Sequence, residues 1–264
     1  MPRKQHRSFE FAYGPDPLQT LDFYQCQGPS DVLLIFIHGG VWRSGDKEEH
    51  QTLFRRLSCV GNVASLNYRL SIPASAPAVQ HPSHEEDLDK AVKWLLGSDA
   101  PGRNRAPGSA EAPKQQVVLV GHSAGVHLSL RLLTRSPLIR QHINAFVGLA
   151  GIYDLESLVD EYPDYLNFTE QAFSSNRTLW PSTKDAVLLL RDVHVHIIHS
   201  KNDGLLSLRQ PGVFKSWLDQ AHSKVRPASV VEDYDKVTEQ HDEMLDSTAL
   251  ANAMIDFLMH LEKS

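Results

Sequence analysis

Cysteine is scarce in this chain. Cys26 and Cys59 are the only two in 264 residues, too few for a disulfide scaffold and without metal-ligand spacing. Positive charge is in deficit, with 26 Lys and Arg against 32 Asp and Glu. A protein that grips a phosphate backbone needs a clustered basic excess, so nucleic acid is not an expected partner. No apolar run approaches the roughly 20 residues of a membrane-spanning helix. The basic start, MPRKQHR, has no apolar stretch behind it and does not read as a secretory signal. No internal repeat is visible. These absences lead to the expectation of a soluble, cytoplasmic protein with reduced thiols that binds neither nucleic acid nor membrane.

What is present is alternation. VLLIFIHG (32–39) is a continuous apolar run ending in glycine, as expected of a strand covered on both faces. DKEEHQTLFRRLS reads as helical, and VGNVASLNYRL (60–70) as the next strand. SHEEDLDKAVKWLLG (83–97) has Glu85 and Glu86 in its first turn and apolar Leu88, Ala91, Val92 and Leu95 at helical spacing, with Gly97 as a stop. QVVLVGHS, INAFVGLAGIY (143–153), VHVHIIHS (193–200) and ASVVEDYD read as further strands. AGVHLSLRLLTRS, RQPGVFKSWLDQAHS and TALANAMIDFLMHLEK read as helices between and after them. Such alternation predicts an α/β fold with a mostly parallel sheet and helices on both faces, in one domain spanning 1–264. Residues 98–116, rich in Pro, Gly, Ala and Ser, read as a flexible surface insertion. The aromatic-rich segment 154–191 breaks the alternation and is expected to cap a pocket beyond the strand ends.

The chemistry centres on LVGHSAGVHL. GHSAG fits the G-x-S-x-G pattern, in which a sharp strand-to-helix turn exposes a serine, and it lies between an apolar run and a helical stretch. Ser123 is the expected nucleophile, and a serine hydroxyl needs a base to take its proton. His122 adjoins Ser123 on the elbow and points away from it, while His127 lies along the following helix. Neither is the expected base. In hydrolases of this type the order is Ser, acid, His. Asp203, in the turn after VHVHIIHS, is the expected acid, and His241, in the loop after ASVVEDYD, the expected base. Acyl transfer also needs donors aimed at the developing oxyanion. Ala124 follows the nucleophile, and HGGVW (His38, Gly39, Gly40, Val41 and Trp42) follows an early strand. Gly40 or Val41 is expected to donate, with Gly39 allowing close approach and Trp42 packing behind the loop.

HGGVW, GHSAG, Asp203 and His241 together resemble the HGG-containing esterases and lipases of the α/β-hydrolase superfamily, and NYRLSIP (67–73) is similar to a Tyr-Arg-Leu element of that group. GIYDLESLVDEYPDYLNFTEQAF, HSKNDGLLSLRQ and the HGG-x-W form of the loop more narrowly resemble the fungal kynurenine formamidases (arylformamidases). That resemblance implies hydrolysis of N-formyl-L-kynurenine to L-kynurenine and formate, in tryptophan breakdown towards NAD. It also implies no metal or organic cofactor, and a homodimer. Tyr153, Tyr162 and Phe168 are the expected contacts to the substrate ring. The triad is equally compatible with a short-acyl carboxylesterase or lipase, and an inactive hydrolase-fold binding module is a third reading.

Overall fold

The computed structural model describes residues 8–28, 30–72, 78–98, 100–102, 115–221 and 224–261. Most of the expected insertion at 98–116 therefore lies outside the described residues, as does Pro73. Eight strands form one sheet: β1 (Ser8–Ala12), β2 (Thr20–Tyr24), β3 (Val32–Ile37), β4 (Asn62–Leu66), β5 (Gln116–His122), β6 (Ile143–Leu149), β7 (His194–Ile198) and β8 (Ser229–Asp233). Their order is β1-β2-β4-β3-β5-β6-β7-β8. Pairing is parallel from β4 through β8, and antiparallel where β2 meets β1 and β4. The expected mostly parallel α/β sheet is therefore present, extended by a β1–β2 hairpin that the sequence reading did not anticipate.

The helices are α1 (Gln51–Leu57), α2 (Ser83–Leu96), α3 (Ala124–Arg135), α4 (Pro137–Arg140), α5 (Leu155–Glu161), α6 (Leu166–Ala172), α7 (Arg209–Ala221) and α8 (Thr248–Leu261). They divide between the two faces of the sheet, and the pleat explains how. Leu33, Ile35 and Ile37 of β3 point into a core shared with Leu88 and Val92 of α2, Val126 and Leu130 of α3, and Phe214 of α7. Their neighbours Val32, Leu34 and Phe36 point into a second core, shared with Phe54 of α1 and Leu250, Met254 and Leu258 of α8. A strand buried on both sides must be apolar throughout, and VLLIFI is.

At the GHSAG motif helix and sheet approach closely. A Cβ on Gly125, in the first turn of α3, would lie 2.1 Å from the carbonyl oxygen of Ile37 on β3. Only glycine lets α3 leave the sheet at this angle. Replacing it with alanine must push α3 away from β3. Gly125→Ala is expected to cost about 1–3 kcal/mol or more, the usual range for overpacking. Urea unfolding of the two proteins measures this, and a variant with the wild-type midpoint would contradict the close contact.

Candidate active site

Ser123 joins β5 to α3 with φ 52° and ψ −120°, a left-handed conformation that side-chain-bearing residues rarely adopt. Backbone bonds hold it there. Its N–H donates to Leu149 at 3.0 Å, and its carbonyl accepts from Val126 (3.0 Å) and Ile152 (3.1 Å). The strained turn lifts the side chain from the carboxyl end of β5, where parallel strands present their loops.

The other two expected residues arrive from the same end of the sheet. Asp203 follows β7 and His241 follows β8, and His241 Nδ1 lies 2.6 Å from Asp203 Oδ2. The carboxylate is fully buried, and its Oδ1 accepts from the N–H groups of Leu205 (2.8 Å) and Leu206 (2.9 Å). Burial alone would raise the Asp203 pKa. The His241 hydrogen bond and charge, with the Leu206 and Leu205 N–H groups, outweigh it and hold the carboxyl below its ordinary value. The Asp203 and His241 loops are also tied directly, since Gln240 Oε1 accepts from Gly204 N–H at 3.0 Å and Asn202 Nδ2 donates to Thr238 O at 2.9 Å. Beneath them His199 donates from Nε2 to Leu206 O (2.9 Å) and lies 3.5 Å from Asp203 Oδ2.

Among the described residues no hydrogen bond joins Ser123 Oγ to His241. They are linked through His122, the residue before the serine. Its ring lies 4.8 Å from that of His241, and its Nε2 is 3.1 Å from the His241 carbonyl. A carbonyl only accepts, so Nε2 carries the proton. Burial first, then the His241 and His50 imidazoles, keeps His122 neutral, well below the ordinary imidazole range. His122 therefore holds the loop that carries His241. His127 is fully buried, with its Nε2 on Pro181 O at 3.2 Å, and burial lowers its pKa to about 3. Both elbow histidines thus have Nε2 engaged by a backbone carbonyl.

The HGGVW loop lies against the elbow, since a Cβ on Gly39 would come 2.8 Å from that of Ser123. Gly40, Val41 and Trp42 all have positive φ, at 86°, 45° and 63°. Tyr68 braces the loop, its hydroxyl 3.1 Å from the His38 carbonyl and 3.2 Å from that of Gly39, with its ring stacked on His38 at 4.4 Å. Trp42 is fully buried, packed edge-on against His127 and Phe173, and its carbonyl accepts from Ser71 N–H at 2.8 Å. Among the described residues no acceptor takes the N–H of Gly40, Val41 or Ala124. Ala124 is also the first residue of α3, where the helix dipole favours negative charge.

The three expected ring contacts divide. Tyr153 is a core residue instead, fully buried and stacked on Phe214 at 4.6 Å, so it cannot face a substrate. Its position beside the end of β6 draws it into the sheet's packing. Tyr162 and Phe168 are half-buried and flank Tyr165, each at 6.0 Å, and the guanidinium of Arg43 lies 5.0 Å over the Phe168 ring. Residues 162–168 thus reach the loop that follows HGGVW. Tyr165 was not singled out from the sequence, although spacings of three on either side mark it. Burial raises its pKa, and the Asp203 charge adds to this. A pocket of about 360 Å³ opens beside the elbow, lined by Gly39, Gly40, Glu49, His50, His122 and Asp242.

Residues 21–218 match the BD-FAE family. The chain belongs to the BD-FAE family. This BD-FAE chain is 31% identical to the kynurenine formamidase of Meyerozyma guilliermondii over 221 residues, 78% of each chain. It is 29% identical to the kynurenine formamidase of Scheffersomyces stipitis, over 78% of this chain and 85% of that one. The resemblance to fungal kynurenine formamidases therefore holds over most of the sequence. In structure it is similar to Esterase B from Lactobacillus Rhamnosis, with a TM-score of 0.74 and 18% identity over 97% of this chain and 85% of that one, a likeness of the α/β-hydrolase fold.

A depressed Asp203 pKa has a consequence for stability. The group stabilises the fold above its ordinary unfolded pKa, and that contribution is lost as pH falls through the lower folded value. The stability advantage of the wild type over Asp203→Asn should therefore be greatest near neutrality and shrink on acidification below about pH 4. Urea unfolding across a pH series measures it; an advantage that stays constant into acid would contradict the assignment.

Proposed function

We propose that this chain hydrolyses N-formyl-L-kynurenine to L-kynurenine and formate, with Ser123 as nucleophile, His241 as general base and acid, and Asp203 as its partner. The observation that carries this reading is the kinship with fungal kynurenine formamidases over 78% of the chain. The Asp203–His241 bond of 2.6 Å supports the assignment of roles. Asp203 fixes the proton on His241 Nδ1, which leaves Nε2 with a lone pair to take the Ser123 proton.

In the proposed reaction Ser123 Oγ attacks the formamide carbon while His241 accepts the hydroxyl proton. The oxyanion is held by backbone N–H groups from Gly40 or Val41 and from Ala124. Collapse of the tetrahedral intermediate breaks the C–N bond, and His241 protonates the departing aryl amine. Water, deprotonated by His241, then attacks the formyl-enzyme and releases formate. The Ser123–His241 hydrogen bond forms when substrate is bound, since catalytic hydrogen bonds are often long or absent without it. Formyl is the smallest acyl group, which suits the close approach of the Gly39 loop to Ser123. Residues 154–191 form the cap, with Tyr162, Tyr165 and Phe168 beside the aryl ring. The step belongs to tryptophan breakdown towards NAD, and a homodimer in the cytoplasm is the proposed working form.

A short-acyl esterase would use the same triad, and only the kinship above favours the formamide. Turnover of N-formylkynurenine should exceed that of short p-nitrophenyl esters, and Ser123→Ala should abolish both. Asp203→Asn should lower kcat on the order of 10⁴-fold, as expected when the base loses its tautomer. Ester turnover far above formamide turnover would overturn the substrate assignment. Unchanged activity in Ser123→Ala would overturn the mechanism.

A further inference from the structure

We infer that His122, His241 and Asp242 form a site for a divalent transition cation of the zinc class, and that its occupation switches the enzyme off by capturing the base. One ring nitrogen from each histidine and one carboxylate oxygen lie within 4.8 Å of one another. His122 and Asp242 line the pocket of about 360 Å³ that Glu49 and His50 also line, and His241 adjoins it through the His122 ring, 4.8 Å away. Two imidazoles and a carboxylate are the donor set that zinc takes readily.

The second sphere is already in place. A metal-bound histidine typically passes its other ring N–H to a carboxylate, which fixes the ring and raises its basicity. His241 has that arrangement, with Nδ1 at 2.6 Å from buried Asp203. The Nε2 lone pair that serves the proposed catalysis is thus also the one His241 offers to a metal. His122 is held beside it by the bond from Nε2 to the His241 carbonyl, which accepts from the Nε2 N–H and leaves Nδ1 as the ring's acceptor nitrogen. Ligation through Nδ1 keeps that bond, whereas ligation through Nε2 exchanges it for a bond to the metal.

Zinc bonds of about 2.0–2.2 Å place ligand atoms about 3.4 Å apart in a tetrahedron, so the cluster must tighten. Asp242 can supply that movement. Its side chain is 74% exposed, and its Oδ1 already lies 4.0 Å from His122 Nε2. His50 lines the same pocket, and its Nδ1 is buried without a hydrogen-bond partner. The binding claim stands on these residues alone, while the inhibition rests on His241 being the base.

The test uses the intact chain, freed of metal by a chelator. Cobalt(II) titration should produce the visible absorption of a low-symmetry nitrogen- and oxygen-ligated ion, and zinc should displace it. Zinc should also inhibit turnover reversibly, with activity restored by chelator. In Asp242→Asn the affinity for both ions and the sensitivity to zinc should fall by about tenfold or more, while metal-free activity is unchanged. No cobalt spectrum in the wild type, or an undiminished affinity in Asp242→Asn, would overturn the site. Because the spectrum does not depend on turnover, failure of the formamidase reading leaves this result interpretable. A cobalt spectrum without zinc inhibition would overturn the switch.

Discussion

Ser123 is held at φ 52° and ψ −120°, a conformation that costs about 1–3 kcal/mol for a residue other than glycine. Much of the surrounding structure can be understood as what keeps it there. Its N–H is fixed to the end of β6, and its carbonyl to the first turn of α3 and to Ile152. The missing side chain at Gly125 lets that turn press against β3. The elbow is therefore over-determined by β3, β5, β6 and α3 together, and none of these can shift without releasing it. The same crossing brings the Gly39 loop, which extends from β3, against Ser123.

The remaining groups come from loops beyond the carboxyl ends of β7 and β8, and parallel strand direction places those loops beside the elbow. Their alignment is set by short polar bonds. Asp203 receives two backbone N–H groups on one oxygen and His241 on the other, while Gln240 and Asn202 bridge the acid and base loops. His122 ties the base loop back to the elbow. The candidate base is thus held from two directions, by Asp203 through its ring and by His122 through its carbonyl. That double hold also gathers nitrogen and oxygen donors of His122, His241 and Asp242 within 4.8 Å of one another, the grouping behind the proposed metal site.

The parts of this arrangement legible in the sequence are those set by local pattern. Strands buried on both faces, such as VLLIFI and VVLV, are continuous apolar runs. α2 carries an apolar stripe at helical spacing. Chain order brought Asp203 and His241 forward, and the structure places them 2.6 Å apart. The rest depended on tertiary context. β1 is a five-residue edge strand with mostly exposed side chains, so neither length nor burial marks SFEFA as part of a sheet. Segment 154–191 is built from short helices whose packing partners are distant in sequence. Tyr153 and Tyr162 look alike in the chain, yet one is stacked on Phe214 against the interior strand β6 and the other stays half-exposed. The bracing by His122 and Gln240 passes through backbone groups of remote loops, which no spacing rule displays.

The most direct measurement is covalent labelling of the intact chain by a phosphonylating serine reagent, with the site mapped by peptide mass and N-formylkynurenine turnover followed in parallel. Reaction should occur at Ser123 alone, turnover should fall in proportion to the fraction labelled, and His241→Ala should label far more slowly. Full labelling of Ser123 with N-formylkynurenine turnover intact, or inactivation with the label on another residue, would contradict the roles proposed for these residues.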